Sequence, residues 1–237
     1  MSDARRNLLG ITDPEALSRA EGDLAKSRIQ ELQERSIRGA FDVAHLRAIN
    51  QHIFQDIYLD AGELRSERGQ WGKGRALHNL RYPVYYKPAE EMQKELPQVL
   101  AQANAENWAQ HDTPEKLAGP LAKFYADLDF QHPFVDGNSR TLREFTRCWV
   151  AKKTSQQLTW AHTTDPFETR GPLYFARDAE VLRRALDDDL IASEKDLRLA
   201  SRIIHDVNKS GATLRNYIKR GLVLGSTRGL NANGTRL

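Results

Sequence analysis

The chain has 237 residues, a formal net charge of +3 and 40% hydrophobic residues, a composition typical of a globular protein with one compact domain and appendages. No segment approaches the roughly 20 consecutive apolar residues of a membrane span, and the start lacks the apolar core of a secretory signal, so we expect a cytoplasmic protein without membrane contact. The single cysteine, Cys148, excludes an internal disulfide and is expected in the core.

The apolar spacing in the first third of the chain predicts two helices and then a hairpin. A capping sequence around Asp13 begins a helix over about residues 13–36, and a broad apolar stripe predicts a second, buried helix from Asp42 to about Tyr58. From residue 61 to 87 the helical period disappears and glycines cluster before a β-prone run of tyrosines. That region predicts a loop and a short β-hairpin.

The rest of the chain predicts further helices. A helix begins near Pro88, but Pro97 in its interior predicts a kink or a split. Four more helical patterns follow, and a glycine-rich end predicts a mobile tail. These patterns cover about residues 113–128, 139–153, 172–192 and 193–208, and the tail covers residues 225–237.

These elements predict an all-α, mainly helical fold with a small β-hairpin. We expect an N-terminal helical segment over residues 1–40, a central domain over residues 41–192, and a C-terminal helical extension with a basic, partly mobile tail over residues 193–237. Residues 205–237 contain six basic residues and one acidic residue. Such charges can neutralise nucleic-acid phosphates, although they equally suit a solvated end, so nucleic acid is an alternative partner rather than the expected one.

One short segment between two predicted helices carries the groups needed for phosphate chemistry. It reads His132-Pro133-Phe134-Val135-Asp136-Gly137-Asn138-Ser139-Arg140, and Arg143 follows on the same helix face as Arg140. Gly137 permits a positive φ, so the following backbone amides can curl around an anion at the helix N-terminus. His132 can accept a proton from a hydroxyl, Asp136 can hold Mg²⁺, and the arginines can neutralise phosphate oxygens.

Taken together, these residues resemble the Fic signature His-x-Phe-x-Asp/Glu-Gly-Asn-Gly-Arg-x-x-Arg. The departure is Ser139, which stands where the signature has its second glycine. The upstream runs 54–58 and 61–65 are similar to the family's Phe-x-Asp-Ile-Tyr-x-Trp-Ala-Gly-x-x-Arg element, with Asp60 in place of tryptophan. Separately, His-Pro and Asp-Gly-Asn are ordinary turn sequences. Two ordered motifs at the right separation, within a resemblance over about residues 10–190, make coincidence improbable.

The resemblance implies a Fic fold and a protein adenylyltransferase that binds ATP with Mg²⁺. His132 would activate a Ser, Thr or Tyr hydroxyl of a target protein for attack on the α-phosphate, Asp136 would hold Mg²⁺, and Phe134 would anchor the loop in the core. The residues implied at the phosphates are Gly137, Asn138, Ser139, Arg140 (β-phosphate) and Arg143 (γ-phosphate). The residues implied in a hairpin flap that docks the target by strand pairing are Tyr82, Val84 and Tyr85.

The resemblance also bears on regulation. Many family members are inhibited by a Ser/Thr-x-x-x-Glu-Gly/Asn helix whose glutamate pairs with the second motif arginine, here Arg143. The run from Ser18 to Gly22 is one residue short of that spacing, which turns Glu21 by about 100° relative to the serine, so we interpret it as ordinary helix surface. The resemblance then implies a toxin or effector controlled by a separate small antitoxin that carries such a helix, and an effector would be delivered into a host cell.

Three alternatives remain open. A Doc-like phosphotransferase would transfer the γ-phosphate, but that branch typically has alanine in place of Gly137 and lysine in place of Ser139. A non-enzymatic nucleic-acid-binding protein would act through the basic tail. A Fic fold inactivated by Ser139 is disfavoured by the retained His132, Asp136, Asn138 and both arginines. The other histidines are scattered, with no spacing that indicates a zinc site.

Overall fold

The computed structural model describes residues 5–77, 80–160 and 172–224, and over these ranges it has the mainly helical architecture and the β-hairpin that the sequence predicts. Its helices are α1 (Pro14–Glu34), α2 (Val43–Phe54), α3 (Ala89–Ala105), α4 (Pro114–Gln131), α5 (Asn138–Lys153), α6 (Pro172–Asp187), α7 (Glu194–Ser210) and α8 (Leu214–Gly221). Its strands are β1 (Trp71–Leu77), β2 (Leu80–Tyr86), β3 (Gln156–Leu158) and β4 (Leu222–Leu224).

The helices begin where capping chemistry predicts. The Asp13 carboxylate accepts a hydrogen bond from the Ala16 amide at 2.7 Å, and the Asp42 carboxylate caps α2 in the same way at 2.8 Å. Pro14 and Pro114 lie in the first turns of their helices, where an N–H has no intrahelical partner. The first two helices therefore begin at local signals that the sequence already shows.

Helices α4 and α5 lie at the centre of the fold. α4 packs against α3, α5, α6 and α8, and α5 also packs against α2. Their shared core contains Leu121, Tyr125, Phe145 and Trp149, all completely buried. Because both helices are held on several sides, the loop that joins the end of α4 to the start of α5 is presented on a rigid support.

Several helix boundaries differ from the sequence prediction, and α6 ends at Asp187 rather than near residue 192. α2 ends at Phe54 rather than near Tyr58, because the Phe54 carbonyl accepts from the amides of both Ile57 and Tyr58 and the chain turns there. The predicted split at Pro97 is wrong, since α3 continues through it to Ala105, and a kink there stays a prediction. Leu96 and Leu100 are buried on either side of the proline, so packing outweighs the missing backbone hydrogen bond.

The C-terminal segment adds elements that the sequence did not predict. A separate helix, α8, packs on α4, and β4 pairs antiparallel with β3 so that Leu222 lies opposite Leu158. Strands of three residues are too short to show an alternating pattern, so the sequence predicts neither β3 nor β4. The predicted mobile tail, with Arg228 and Arg236, lies outside the described residues.

Within the described ranges, no helix is both long and apolar enough to cross a bilayer. The thiol of Cys148 is buried on α5, as its apolar neighbours predict. No group of three or more His, Cys, Asp or Glu side chains is placed to hold a metal ion in this part of the chain.

Candidate active site

The loop between α4 and α5 is shaped by two residues with left-handed backbone conformations. His132 ends α4 at φ 45° and ψ 58°, and Gly137 precedes α5 at φ 75° and ψ 5°. A Cβ at Gly137 would overlap the ring of Phe54, so the position requires glycine for space as well as for its dihedral angles. The loop therefore has the histidine at one end and, at the other, the first amides of α5, which have no intrahelical acceptor.

Asn138 braces this loop from within. Its side-chain oxygen accepts from the Phe134 amide at 2.9 Å, and its side-chain nitrogen donates to the Phe134 carbonyl at 2.6 Å. Both residues are 2% exposed, which places Phe134 in the core as the resemblance implies. The Asn138 side chain is thus committed to the loop, and only its backbone amide remains for an anion.

Arg65 holds the end of α4, a role that the sequence did not assign to it. Its guanidinium donates to the carbonyls of His132 at 2.7 Å and Gln131 at 3.1 Å, and also to that of Lys87. Its own amide donates to the Pro133 carbonyl at 2.9 Å. Burial lowers the pKa of Arg65 to about 10, which leaves it charged at neutral pH beside the negative end of the α4 dipole.

The ring of His132 lies buried against the β-hairpin. It is 3% exposed and stacks on the Tyr86 ring with 3.8 Å between centroids. Neither ring nitrogen has a hydrogen-bond partner within the described ranges. Burial, together with the positive charges of Lys73 and Arg75, holds the pKa of His132 well below its usual range, so the imidazole is neutral at physiological pH.

Asp136 lies in the middle of the same loop and lines a small cavity. One carboxylate oxygen accepts from the Gly137 amide at 2.7 Å, and Phe54 and Tyr58 also line the cavity. Asp60, which replaces the family's tryptophan, lies in this cavity too and pairs with Arg5 at 2.5 Å. The departure from the motif therefore adds an ion pair at the cavity edge.

Arg140 is already engaged by a carboxylate from α1. Its guanidinium pairs with Glu21, whose other oxygen accepts from the Tyr58 hydroxyl, and it lies 4.7 Å from the centre of the Phe54 ring. Our interpretation of Glu21 as ordinary helix surface is wrong, because the residue is only 9% exposed. Leu17, Glu21 and Ala25 follow one another at four-residue spacing on the buried face, a signal that could have been read.

Arg143 lies one turn further along α5. Burial lowers its pKa, and no described carboxylate lies within ion-pair distance of its guanidinium. The two motif arginines therefore differ: Arg140 has an internal counter-ion, whereas the described part of the chain offers none to Arg143.

Ser139, at the second position of α5, is bound by a residue far along the chain. Arg177 of α6 donates to its hydroxyl oxygen at 2.7 Å and pairs with Asp129 of α4 through two further nitrogens at 3.1 and 2.5 Å. Arg177 and Asp129 are 3% and 2% exposed. No local pattern indicates these two residues, since the contacts join three different helices.

The hairpin of β1 and β2 lies beside the histidine and is fastened to the C-terminal helices. The Tyr82 hydroxyl donates to Asp178 at 2.8 Å, and the Tyr85 hydroxyl donates to Asp196 at 3.0 Å. Val84 is completely buried and Tyr82 is 5% exposed. Target docking by these three residues stays a prediction, and the buried side chains leave the main chain of the strands as the part able to pair.

Comparison with known proteins agrees with this geometry. Residues 40–149 match the Fic/DOC family. The chain is 30% identical over 155 residues to protein adenylyltransferase VbhT of Bartonella schoenbuchensis, covering 65% of this chain and 30% of that protein. It is 33% identical over 137 residues to a probable protein adenylyltransferase of Sinorhizobium fredii, covering 57% of this chain and 65% of that protein.

A solved structure extends the comparison to the whole fold. The BepC protein of Bartonella tribocorum, a VirB-translocated effector crystallised with AMPPNP, superposes with a TM-score of 0.66 at 16% identity over 94% of each chain. The present chain spans less than two thirds of the length of the two curated relatives above. The matched segment, residues 40–149, contains the whole loop from His132 to Arg143, so this loop lies in the part of the chain that is similar to the Fic/DOC family, and BepC shares the overall fold.

Proposed function

We propose that this chain transfers AMP from ATP to a Ser, Thr or Tyr hydroxyl of a target protein. One observation carries the proposal: the loop has at one end a buried histidine whose ring nitrogens find no hydrogen-bond partner among the described residues, and at the other end the N-terminus of an arginine-bearing helix. The names of the two curated relatives and the AMPPNP bound to BepC support the same activity.

The reaction needs a base, an anion site and a leaving group held in line. The target hydroxyl loses its proton to a ring nitrogen of His132 as its oxygen attacks the α-phosphorus, and the bond from that phosphorus to the bridging oxygen breaks to release pyrophosphate. The open amides at the start of α5 and the guanidinium groups of Arg140 and Arg143 bind the β- and γ-phosphates. These fixed positive groups stabilise the charge that collects on pyrophosphate.

Asp136 is the group we assign to Mg²⁺. A single carboxylate suits this ion, which keeps several waters and otherwise binds phosphate oxygens. The oxygen that does not accept from Gly137 is the one available for the ion. When bound, Mg²⁺ would neutralise phosphate charge, while the residues of the chain position the nucleotide and move the proton.

Access to His132 requires movement of its surroundings. Only 3% of the residue is exposed, and Tyr86 of β2 covers one face of the ring. The adjacent hairpin is the element whose displacement would admit a hydroxyl. We therefore propose that β1 and β2 shift when a target segment pairs with the main chain of the hairpin.

Regulation by a separate antitoxin is part of this proposal. Glu21 already pairs with Arg140, so an inhibitory glutamate from another protein would find Arg143 as the available arginine. The VirB-translocated BepC supports an effector that acts in a host cell, and a cytoplasmic toxin is the other form. Co-purification with a small partner, lost when Arg143 is replaced by alanine, would support the antitoxin.

The activity can be tested with two labels. The purified chain and its His132→Ala variant are incubated with Mg²⁺ and a cell lysate, in parallel with ATP labelled on the α-phosphate and ATP labelled on the γ-phosphate. We expect protein labelling from the α-phosphate alone, and no labelling by His132→Ala. Thermal melts of both proteins establish that the variant is folded.

The other outcomes each contradict the proposal. Labelling from the γ-phosphate alone would identify a Doc-like phosphotransferase. Labelling that appears only in Ser139→Gly would identify a domain inactivated by its serine. The nucleic-acid-binding alternative would be favoured if neither the unsubstituted chain nor Ser139→Gly labels protein, and if the chain binds DNA at low salt but loses this binding when residues 209–237 are deleted.

A further inference from the structure

The imidazole of His132 has to be oriented by something other than hydrogen bonds to its ring. Neither ring nitrogen has a hydrogen-bond partner among the described residues. The left-handed backbone of His132 and the bond from Arg65 to its carbonyl fix only the direction of the Cα–Cβ bond. A base works when its acceptor nitrogen points at the proton it takes, so the side-chain torsion angles of this histidine must be set by packing.

Tyr86, the last residue of β2, supplies that packing. Its ring stacks on the imidazole with 3.8 Å between centroids and an interplanar angle of 28°. Tyr86 is completely buried, and Arg75 donates to its hydroxyl at 2.7 Å. The tyrosine ring is therefore held at its far end as well as by the core around it, and it forms a fixed surface beneath the histidine.

The backbones of the two stacked residues are tied to the same guanidinium. Arg65 donates to the His132 carbonyl at 2.7 Å and also to the carbonyl of Lys87, which follows Tyr86. The Lys87 amide donates to the Phe130 carbonyl of α4 at 3.1 Å. The base of the hairpin is thus fixed to the end of α4, so the stack can persist while the part of the hairpin beyond it shifts.

The stack leaves the reactive positions of the histidine open. A ring nitrogen accepts a proton in the plane of the ring, whereas Tyr86 lies against one face. Burial and the positive charges of Lys73 and Arg75 lower the pKa of His132, so its protonated form needs a stabilising contact. The face of an aromatic ring attracts a cation within about 6 Å, and the tyrosine ring provides this contact.

We propose that Tyr86 is a positioning residue for the base. Its ring holds the imidazole of His132 in the orientation that receives the proton of the target hydroxyl, and its face stabilises the imidazolium that results. Tyr86 itself neither gains nor loses a proton. These are the two roles that a carboxylate has beside the histidine of a Ser-His-Asp triad. The inference rests on the proposed function, since it takes His132 to be the base of that reaction.

The test compares substitutions that separate the aromatic face from the hydroxyl. Tyr86→Phe keeps the stack and loses the bond from Arg75, whereas Tyr86→Leu and Tyr86→Met fill the space without an aromatic face. The matched control is Phe124→Leu in the interior of α4, where the ring packs 4.5 Å from that of Trp149. The KM for ATP and kcat are measured by α-phosphate labelling, and thermal melts report the folded fraction.

Nuclear magnetic resonance spectra of the imidazole report the stack independently of activity. Protons that lie over the face of an aromatic ring resonate upfield, and the signals of His132 are those absent from His132→Ala. We expect an upfield shift in the unsubstituted chain and in Tyr86→Phe, and its loss in Tyr86→Leu. The spectra therefore show whether a change in kcat accompanies a change in the stack.

We expect Tyr86→Leu and Tyr86→Met to lower kcat by about ten- to a hundredfold, as misplacement of a general base does, with the KM for ATP changed less than about threefold. Tyr86→Phe should keep kcat within about threefold of that of the unsubstituted chain, because the stack remains. Phe124→Leu should lower the melting temperature while the folded protein keeps its KM and kcat. A purely structural role of Tyr86 would give the same result as this control.

Several results would overturn the inference. Full kcat in Tyr86→Leu would show that any apolar packing suffices, and an equal loss of kcat in Tyr86→Phe would assign the effect to the hydroxyl. Absence of the upfield shift in the unsubstituted chain would show that the stack does not form in solution. If one of the two aliphatic variants does not fold, the other supplies the comparison. Failure of the unsubstituted chain to label protein would overturn the proposed function itself, whereas normal labelling with full kcat in Tyr86→Leu would overturn only the role of Tyr86.

Discussion

His132 and the loop that follows it are held through main-chain groups, which leaves the imidazole itself unbound. Arg65 fixes His132 through carbonyl oxygens, and Asn138 fixes the loop through the backbone of Phe134. Neither bond uses a ring nitrogen of the histidine. The reactive atoms are thus oriented in advance while their hydrogen-bonding positions remain available, which is the arrangement that favours catalysis by a positioned base.

The pH dependence of the reaction should reflect the environment of His132. Because its pKa in the folded chain is lowered from 6.5, the ring stays neutral as the pH falls past 6.5 and becomes protonated only in more acidic solution. We therefore expect kcat/KM to fall only well below pH 6.5. Steady-state labelling across pH 4.5–8 measures this, and a decline centred at or above pH 6.5 contradicts it.

Lys73 offers a second check on the same electrostatics. Its positive charge is among the causes of the lowered pKa of His132, so Lys73→Met should raise that pKa and move the acid decline of kcat/KM to higher pH. Lys116→Met is the control, since that lysine is exposed on α4 and pairs with Asp112. An unchanged pH profile in Lys73→Met would argue against charge as the cause.

Gly137 should not tolerate a side chain. Gly137→Ala forces a residue with a Cβ into a left-handed conformation against the Phe54 ring, so we expect the free energy of unfolding to fall by about 1–3 kcal/mol or more and ATP binding to weaken. Gly119→Ala, in the interior of α4 with only Arg215 nearby, is the control and should be neutral or stabilising. Urea denaturation of the two variants compares them; equal effects would be inconsistent with the geometry.

At the scale of elements, the active loop depends on helices distant from it in sequence. α1 supplies Glu21 to Arg140, and α6 supplies Arg177 to Ser139. Both contacts reach the first turn of α5, where phosphates are proposed to bind. The positions of the Arg140 and Ser139 side chains at the start of α5 therefore depend on α1 and α6 as well as on α5 itself.

Removing the negative charge of Glu21 should strengthen nucleotide binding. Glu21→Gln keeps the shape and the acceptor for the Tyr58 hydroxyl but frees the Arg140 guanidinium for a phosphate oxygen. We expect ATP affinity and labelling rate to rise by about tenfold, in line with a charged hydrogen bond. Glu31→Gln, on the same helix and paired with Arg28, controls for the change in charge. Weaker ATP binding in Glu21→Gln would mean that the glutamate instead holds Arg140 in position.

The elements that sequence could predict are those with local signals. Asp13 and Asp42 cap their helices, and the motif from His132 to Arg143 forms a loop followed by the first turns of α5. The caps and the motif are predictable because each depends on residues that are neighbours in the sequence. Glu21 and Arg140, which pair, are 119 residues apart in the sequence, and Arg177 and Ser139 are 38 residues apart. Such pairings follow from how helices pack, which a single sequence does not show.

At the scale of the whole molecule, the C-terminal segment is part of the core rather than an appendage. Ala200, Ile203, Leu214, Ile218 and Leu222 are all 5% exposed or less, and α8 packs directly on the central helix α4. The boundary predicted near residue 192 remains untested as a domain limit, but it divides a continuous apolar core.

Truncation should reveal this dependence. Burial of Ile203, Ile218 and Leu222 contributes about 1.5–3 kcal/mol each, which together approaches the whole stability of a typical domain. We expect a chain that ends at residue 192 to be unfolded or aggregated, whereas one that ends at Leu224 keeps these buried residues and should melt cooperatively. Circular dichroism and thermal melts distinguish the two, and a cooperative transition in the shorter chain would contradict the expectation.

Helix α6 contacts both halves of the proposed reaction through two successive residues. Arg177 bonds to Ser139 at the phosphate side, while Asp178 accepts from Tyr82 and faces Arg75 on the hairpin side. A shift of this helix turn on nucleotide binding would therefore alter the hairpin's affinity for a protein segment. Thermodynamic reciprocity then requires that the segment change the affinity for nucleotide by the same factor, so that the two proposed substrates bind with positive or negative cooperativity.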